Sequence, residues 1–383
     1  MRRNPDFSNF LFADQPGVCR THSTPRIVLA LSSEKSSELL RLRACGIVIG
    51  RMNTFQRSLC VLTLWLAASL AHAASHQYLR IGNKNDIQTR PAPGIAMMGG
   101  GSDLDEAFRW LCQKGNGGDF LILRASGSDA YNSYINGLCK LNSVATLIVP
   151  SREAAQEPVV SDIIRSAEII FIAGGDQANY IRNWKGTPVQ DALNANIAAG
   201  KPIGGTSAGL AVLGEYIYSS EGDAPDDASL ASAQVLANPF FPRVTLRRDF
   251  LHIDLLRDTL TDTHFAKRDR MGRTLGFLAR IVQDSWSAHP HEIAVDEKNA
   301  VLVEPSGSAQ VIGPGKGAYF LSVSTAPEVC RPNTPLTFRD ITVYHVPPGS
   351  MFDLKNWRGT LSAYKLSVTS GHINSTQSDG QVY

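Results

Sequence analysis

The sequence lacks the features that mark several large classes of protein. Its 37 Lys and Arg residues are balanced by 35 Asp and Glu residues, which leaves a formal net charge of +2 and no basic surplus for binding nucleic acid. It contains no C-x-x-C or H-E-x-x-H spacing, so nothing indicates a zinc site, and we expect neither a metal nor an organic cofactor. It has no internal repeat and no low-complexity segment. These absences indicate a globular protein whose function depends on its own side chains.

Long hydrophobic runs are also missing. The apolar run Leu59–Leu70 is too short to span a bilayer, which takes about 20 residues. It follows a short basic segment and ends in Ala71–Ala73, an A-x-A cleavage pattern. We therefore predict a signal peptide over residues 52–73 and an exported protein, periplasmic or extracellular, with no membrane contact after cleavage. Residues 1–51 are rich in Arg and Ser, and we expect a spurious or disordered extension, with Met52 as the true start.

Cysteine is scarce, and half of the six cysteines fall before the predicted cleavage point. Cys112, Cys139 and Cys330 remain in the mature chain. An odd number in an exported protein allows one disulfide and one leftover thiol. Cys112–Cys139 is one candidate pair, although spacing alone does not decide the pairing.

Between residues 93 and 199, short runs of β-branched and aromatic residues alternate with segments of helical pattern. Predicted strands cover residues 93–98, 119–123, 145–149 and 169–173, and predicted helices cover 103–111, 161–167, 178–184 and 189–199. This alternation predicts an α/β domain with a buried, mostly parallel sheet and helices on both faces. Beyond Glu297 the pattern is richer in strands, and the polar chain after Leu366 is expected to be frayed.

Three glycine turns follow predicted strands of this sheet. They cover residues 99–101, 174–175 and 204–205. Binding and catalytic sites of such sheets form beyond the carboxyl ends of the strands. We therefore expect the three turns to converge on one site.

The segment Gly205–Gly209 reads GTSAG and has the G-x-S-x-G pattern of a nucleophile elbow. In such a turn a strand passes sharply into a helix, and the glycines leave room beside a serine in a strained conformation. The apolar run that follows suits a buried helix whose positive end would lie at Ser207. The pattern predicts that Ser207 is the nucleophile of a serine hydrolase. The alternative is an ordinary glycine-rich turn with an exposed serine.

A second polar cluster lies between Thr261 and Arg273. His264 could take a proton from a serine if it were held within hydrogen-bond distance. Arg268, Arg270 and Arg273 follow it, and neighbouring guanidinium groups suit the capture of a carboxylate. The alternative is a solvated basic helix with a histidine packed in the core.

Four motifs, taken in order, make a more specific resemblance. They are GGDQ at 174–177, GGTSAG at 204–209, D-x-H-F-x-x-R-x-R-x-x-R at 262–273 and IAVDEKNA at 293–300. In these motifs, over roughly residues 93–320, the chain resembles the cyanophycinases of serine peptidase family S51, which are related to the aspartyl dipeptidases. The resemblance implies a three-layer α/β/α sandwich like that of class I glutamine amidotransferases. It also implies exo-type hydrolysis of cyanophycin, a polyaspartate with arginine on each β-carboxylate, to β-Asp-Arg dipeptides.

The resemblance also implies roles for individual residues. Ser207 matches the nucleophile, His264 the general base, and Glu297 the acid that orients the histidine. Asp296 is the rival for the last role, because it directly precedes Glu297. The backbone N–H groups of Ala208 and of a glycine near Gly100 would form the oxyanion hole.

Five further positions match the substrate-binding residues of the family. They are Gln177, Asp262, Arg268, Arg270 and Arg273. The chain departs from the family at Thr263, where cyanophycinases usually carry glutamine, and in an apparent insertion over residues 283–290. These departures concern the fine specificity for substrate more than catalysis.

The predicted organisation is a catalytic domain over residues 74–366 followed by a polar tail over 367–383. The expected partner is cyanophycin or a β-aspartyl peptide, and the family suggests a homodimer. Two alternatives stay open: an aspartyl or isoaspartyl dipeptidase of the same family, and an inactive secreted binding protein on the same fold. The intact set of Ser207, His264 and Glu297 argues against the second.

Overall fold

The structure is a computed structural model that describes residues 75–224 and 228–383. The predicted signal peptide, the N-terminal extension and the predicted start at Met52 lie outside these residues. Within the described part of the chain, no helix combines the length and the apolar character needed to cross a membrane.

The described residues form eighteen strands and eight α-helices. In chain order the strands are β1 (Gln77–Gly82), β2 (Ile95–Met98), β3 (Asp119–Arg124), β4 (Ser143–Ile148), β5 (Ile169–Ile172), β6 (Ile203–Thr206), β7 (Tyr216–Tyr218), β8 (Leu246–Arg248), β9 (Thr259–Asp262), β10 (His291–Val295), β11 (Ala300–Val303), β12 (Ser308–Ile312), β13 (Ala318–Ser322), β14 (Phe338–Val346), β15 (Met351–Asp353), β16 (Arg358–Gly359), β17 (Tyr364–Thr369) and β18 (His372–Ser375). The α-helices are α1 (Asp105–Lys114), α2 (Ala130–Leu138), α3 (Pro158–Ser166), α4 (Gln177–Trp184), α5 (Pro188–Ala198), α6 (Ala208–Ala211), α7 (Ser232–Ala237) and α8 (Met271–Gln283). Short 3-10 turns cover Ala154–Gln156, Asp254–Leu256 and Ser378–Gly380.

The first sheet has ten strands in the order β1-β4-β3-β5-β6-β2-β11-β12-β15-β16. Its five central strands, from β4 to β2, are parallel, and the outer strands are antiparallel. Successive residues of a strand face opposite sides of the sheet. Phe120 and Phe171 therefore pack in one core with α1 and α2, and Leu121 and Ile170 pack in another with α3, α4 and α5. Burial on both faces explains why these strands are almost continuously apolar.

The second sheet has eight strands in the order β18-β17-β14-β13-β10-β9-β7-β8. Strand β9 pairs in parallel with β10 and β7, and the other pairs are antiparallel. Short turns join most strands after Glu297, and such turns favour antiparallel pairs because a parallel pair needs a long crossover. The α/β class is confirmed. The predicted three-layer sandwich around one mostly parallel sheet is not, because both sheets are mixed.

The frayed tail predicted after Leu366 is wrong. Leu366 lies within β17, which pairs with β14 on one side and β18 on the other. Leu366 and Val368 are buried and alternate with polar residues along the strand. This period of two is the pattern of a strand with one face in the core. The predicted domain end at residue 366 therefore falls inside the second sheet.

The candidate pair Cys112 and Cys139, which the sequence left open, is a disulfide in the structure. The disulfide joins α1 to the end of α2. Cys330 is the one free cysteine of the described residues, and it is buried. Burial raises the pKa of its thiol to about 12, so little of the reactive thiolate is present at neutral pH.

Candidate active site

Ser207 lies on a sharp turn where β6 passes into the short helix α6. Its backbone has φ 51° and ψ −118°, a conformation that residues other than glycine seldom adopt. The flanking glycines allow the turn. A Cβ on Gly205 would lie 2.5 Å from the backbone of Gly209, and a Cβ on Gly209 would lie 1.9 Å from the carbonyl oxygen of Ile172. The predicted strand–turn–helix elbow is therefore confirmed.

The glycine turns that follow β2 and β5 meet at this serine, whereas Gly204 and Gly205 lie within β6, just before it. A Cβ on Gly174 would lie 3.5 Å from Cβ of Ser207, and a Cβ on Gly100 would lie 3.1 Å from it. The same Cβ on Gly100 would be 2.4 Å from Cε1 of His264. The carbonyl oxygen of Gly99 accepts a hydrogen bond from the backbone N–H of His264 (2.8 Å). The predicted convergence is confirmed for the turns at 99–101 and 174–175, but the prediction of a turn at 204–205 is wrong, because these glycines are strand residues that lead into the elbow.

Ser207, His264 and Glu297 form a continuous chain of hydrogen bonds. Ser207 Oγ lies 2.8 Å from Nε2 of His264, and Nδ1 of the same ring lies 2.7 Å from Oε1 of Glu297. His264 follows β9 and Glu297 follows β10, so the parallel pairing of these strands brings both residues to one edge of the second sheet. The rival Asp296 instead accepts a hydrogen bond from the backbone N–H of Lys267 (2.8 Å). The arrangement is that of a nucleophile, a base and a group that orients the base.

Electrostatics keep the imidazole of His264 neutral. Burial and the positive charges of Arg268 and Arg270 lower the pKa of His264 to about 4, against the opposing effect of Glu297. Burial alone would raise the pKa of Glu297, but the hydrogen bond with His264 and the nearby positive charges of Arg268 and Lys267 lower it. At neutral pH the histidine can therefore accept a proton, and Glu297 is ionised beside it.

Asp262, Arg270 and Arg273 form a buried ion cluster beneath the histidine. Arg273 donates to both carboxylate oxygens of Asp262, over 2.9 Å from Nε to Oδ2, and Nη1 of Arg270 donates to Oδ1 over 3.1 Å. The side chains of Asp262, Arg270 and Arg273 are 5%, 10% and 3% exposed. The assignment of Arg273 to substrate binding is therefore corrected. Its guanidinium turns to an internal carboxylate, because Asp262 lies at the end of β9 directly beside the first turn of α8.

A small cavity of about 80 Å³ opens beside Ser207 and His264. Pockets for drug-sized ligands usually start at roughly 300 Å³, so this space suits one group of a substrate rather than a whole ligand. The other residues that line it are Gly175, Gln177, Ala208, Ala211, Tyr218, Thr261, Asp262, Thr263, Arg268 and Arg270. Four of the five predicted substrate-binding residues thus border the cavity, and Arg273 does not. Arg268 is 45% exposed, so it is the more accessible of the two lining arginines.

The two predicted oxyanion-hole segments lie beside Ser207. Ala208 is the first residue of α6, and the first N–H groups of a helix have no acceptor within it. Gly100 lies against both Ser207 and His264, with φ at 90°. Both segments adjoin Ser207, and their part in an oxyanion hole stays a prediction.

Asp103 was missed as a site residue by the sequence analysis. Its Oδ1 accepts a hydrogen bond from Oγ1 of Thr206 (2.7 Å), the residue directly before Ser207, and its Oδ2 accepts one from the hydroxyl of Tyr131. The carboxylate thereby ties the turn after β2 to the elbow. Its place two residues after the glycine turn 99–101 was the available signal.

Comparison with known proteins gives one family. Residues 96–275 match the model of peptidase family S51. A cyanophycinase from a Nostoc species is 26% identical over 220 residues, which cover 55% of this chain and 65% of that protein. A cyanophycinase from Synechococcus elongatus is 28% identical over 283 residues, which cover 68% and 80% of the two chains. This chain therefore spans slightly less than two thirds of the Nostoc protein.

Among solved structures, similarity is found to a peptidase from an acI-B1 Actinobacterium. It is 18% identical, with a TM-score of 0.42, and the match covers 62% of this chain and 96% of that one.

Proposed function

The chain is a member of peptidase family S51, and from this premise we propose that it is a serine peptidase acting on aspartyl peptides of the cyanophycin type. The observation that carries the proposal is the hydrogen-bonded chain from Ser207 through His264 to Glu297. It lies beside a cavity lined by Arg268 and Arg270, whose charges suit a substrate that carries carboxylates.

The proposed reaction is acyl transfer. His264 Nε2 takes the proton of Ser207, and Oγ attacks the carbonyl carbon of an aspartyl residue near the end of the substrate chain. The backbone N–H groups of Gly100 and Ala208 stabilise the oxyanion. The protonated histidine then gives its proton to the leaving amine, and water hydrolyses the acyl-enzyme with the same histidine as base. Glu297 holds the imidazole in the tautomer that leaves Nε2 free to accept.

The substrate is tested by incubating the protein with purified cyanophycin and identifying the products by mass spectrometry. Release of β-Asp-Arg dipeptides is the expected result. Hydrolysis of short Asp-X or isoaspartyl peptides, with intact polymer, would instead make the protein a dipeptidase of the same family. Failure of Ser207 to react with a fluorophosphonate probe, together with no hydrolysis, would indicate an inactive binding protein.

Export and self-association belong to the same proposal. The disulfide between Cys112 and Cys139 supports an exported protein, because disulfides persist in oxidising compartments. We propose a periplasmic or extracellular location and a homodimer. Mass spectrometry of the native N-terminus tests the first, since cleavage after Ala73 would leave Ala74 at the N-terminus. Light scattering of the purified protein tests the second.

The acid limb of kcat/KM is expected near pH 4 rather than near the ordinary histidine value of about 6.5. His264 must be neutral to accept the serine proton, and burial with Arg268 and Arg270 lowers its pKa to about 4. The rate should therefore hold from neutral pH down to about pH 5 and fall as His264 becomes protonated. Arg268→Gln removes one positive charge and should move the limb upwards. A wild-type limb at the ordinary histidine value would contradict this account.

Arg268→Ala is expected to lower kcat/KM for an acidic peptide by about 10- to 100-fold, because a hydrogen bond to a charged group contributes about 1.5–3 kcal/mol. Acylation by a fluorophosphonate at neutral pH should change little, since His264 is neutral there in both proteins. Arg268→Lys should restore part of the activity, because an ammonium cannot reproduce the guanidinium fork. Arg257→Ala is the control, as Arg257 is 71% exposed and paired with Asp254. Equal losses for peptide and probe would show that Arg268 does not bind substrate.

A further inference from the structure

A tyrosine that has no role in the proposed reaction contacts the turn that carries His264. The hydroxyl of Tyr383 accepts a hydrogen bond from the backbone N–H of Met271, the first residue of α8 (2.9 Å). The same hydroxyl donates to Oδ1 of Asp269 (2.9 Å). Burial raises the pKa of Tyr383, so the phenol keeps the proton that it donates. One side chain thus fixes both neighbours of Arg270.

The ring of Tyr383 also packs against the residue that follows the histidine. Its centroid is 5.9 Å from that of Phe265, with the planes at 77°, and 5.7 Å from that of Tyr319. Phe265 directly follows His264 and is fully buried. The segment before Tyr383 is held in turn, because the hydroxyl of Tyr364 donates to the carbonyl oxygen of Val382 (2.9 Å). The contact is therefore anchored to the second sheet.

The turn itself is short and tightly bent. The N–H of Arg268 donates to the carbonyl oxygen of His264, and the N–H of Arg270 donates to that of Phe265, both over 3.0 Å. His264 and Asp269 have φ values of 47° and 49°, in the left-handed region that favours glycine. Such backbone persists where the surroundings over-determine it, and Tyr383 supplies part of those surroundings.

We propose that Tyr383 is a positioning residue that holds the turn from His264 to Met271, and with it Arg268 and Arg270, in place against the catalytic histidine. The inference rests on the proposed function, because the residue that it positions is the base of that reaction. It concerns the hydroxyl rather than the ring, since the hydroxyl makes both hydrogen bonds to the turn.

Loss of the hydroxyl should change the charge felt by His264. Burial and the charges of Arg268 and Arg270 lower the pKa of this histidine, and both arginines lie in the turn. If the turn loosens, their charges move away and the imidazole becomes easier to protonate. The other titratable groups that face the ring or its turn are Glu297 and Asp296 after β10, Asp262 at the end of β9, and Lys267 and Asp269 within the turn.

The test compares Tyr383→Phe with Tyr216→Phe in the full chain. The Tyr216 hydroxyl also donates to a carboxylate, that of Asp258 (3.0 Å), but Asp258 lies at the start of β9, at the end opposite to His264. For Tyr383→Phe we expect kcat/KM for an aspartyl peptide to fall roughly tenfold, because small misplacements of catalytic and substrate-positioning groups cost up to about 10²-fold. We also expect the midpoint of the His264 imidazole titration, followed by NMR, to move upwards. Tyr216→Phe should leave both unchanged.

The NMR titration keeps this inference separate from the proposed function, because it reports on His264 even if the protein hydrolyses no peptide. Asp269→Ala removes only the hydrogen bond between Tyr383 and Asp269, which Tyr383→Phe removes as well, so the double variant should differ little from Tyr383→Phe alone. An unchanged His264 midpoint in Tyr383→Phe would overturn the proposal. So would a loss of thermal stability without a shift of that midpoint, because it would make the tyrosine purely structural.

Discussion

Replacing Ser207 with alanine is expected to lower turnover by about 10⁴-fold or more while leaving the fold intact, because loss of a nucleophile removes the acyl-enzyme route. The hydroxyl contacts only the imidazole of His264 in the hydrogen bonds of the described residues, so its removal leaves no other partner unsatisfied. Alanine also fits the space beside Gly100 and Gly174. The measurements are kcat with an aspartyl peptide and labelling by a fluorophosphonate, which should both disappear.

A matched control is Ser102→Ala. Ser102 is exposed in the glycine turn after β2, next to the site but outside the chain of hydrogen bonds, and its replacement should preserve activity and labelling. Circular dichroism should show the same thermal transition for both variants. A Ser207→Ala protein with wild-type turnover would refute the assignment of the nucleophile and, with it, the proposed function.

The elbow and its partners could be predicted from the sequence because they depend on local rules. Gly205 and Gly209 are required by backbone contacts within the turn itself. His264 and Glu297 each follow a strand. Because neighbouring parallel strands end at the same edge of their sheet, the two residues come close together. The choice between Glu297 and Asp296 depended on the family resemblance. The hydrogen bonds now separate them, since Asp296 turns to the backbone of the turn.

The partner of a charged side chain could not be predicted in this way. Arg273 looked free to bind a substrate carboxylate, because its spacing from Arg270 fits one helix face. Whether a guanidinium meets a substrate or an internal acid depends on how α8 docks under β9, a tertiary contact that no local pattern encodes. The strand in the C-terminal tail, in contrast, depends on a local pattern. The alternation of buried Leu366 and Val368 with polar residues is present in the sequence and indicates a strand in spite of the polar composition of the tail.

Asp262→Ala is expected to have the largest effect on stability, about 3–5 kcal/mol in the free energy of unfolding, because it leaves buried charges without a partner. Asp262 accepts hydrogen bonds from both Arg270 and Arg273. Burial and the adjacent charge of Arg273 already lower the pKa of Arg270 to about 9 despite the attraction of Asp262. Without that carboxylate, two guanidinium groups would face each other in the protein interior. Urea unfolding measures the loss as a lower midpoint.

The contribution of Asp262 to stability should depend on pH. Burial would raise the pKa of Asp262, but Arg273 and Arg270 hold it below the ordinary value. A carboxyl whose pKa is lower in the folded state binds fewer protons there, so its contribution is complete above its unfolded pKa of about 3.9 and is lost as the pH falls. The wild type should therefore lose stability in acid more steeply than Asp262→Ala does.

The control for Asp262→Ala is Asp254→Ala, which removes an ion pair of the same chemistry from the surface. Asp254 lies 2.8 Å from Arg257, and their side chains are 92% and 71% exposed. Exposed pairs contribute at most about 1 kcal/mol, because water screens both charges and solvates whichever remains. Asp254→Ala should therefore shift the urea midpoint little. If the two variants lost the same small amount, the cluster beneath His264 would be solvated in solution, and Arg273 would again be available to a substrate carboxylate.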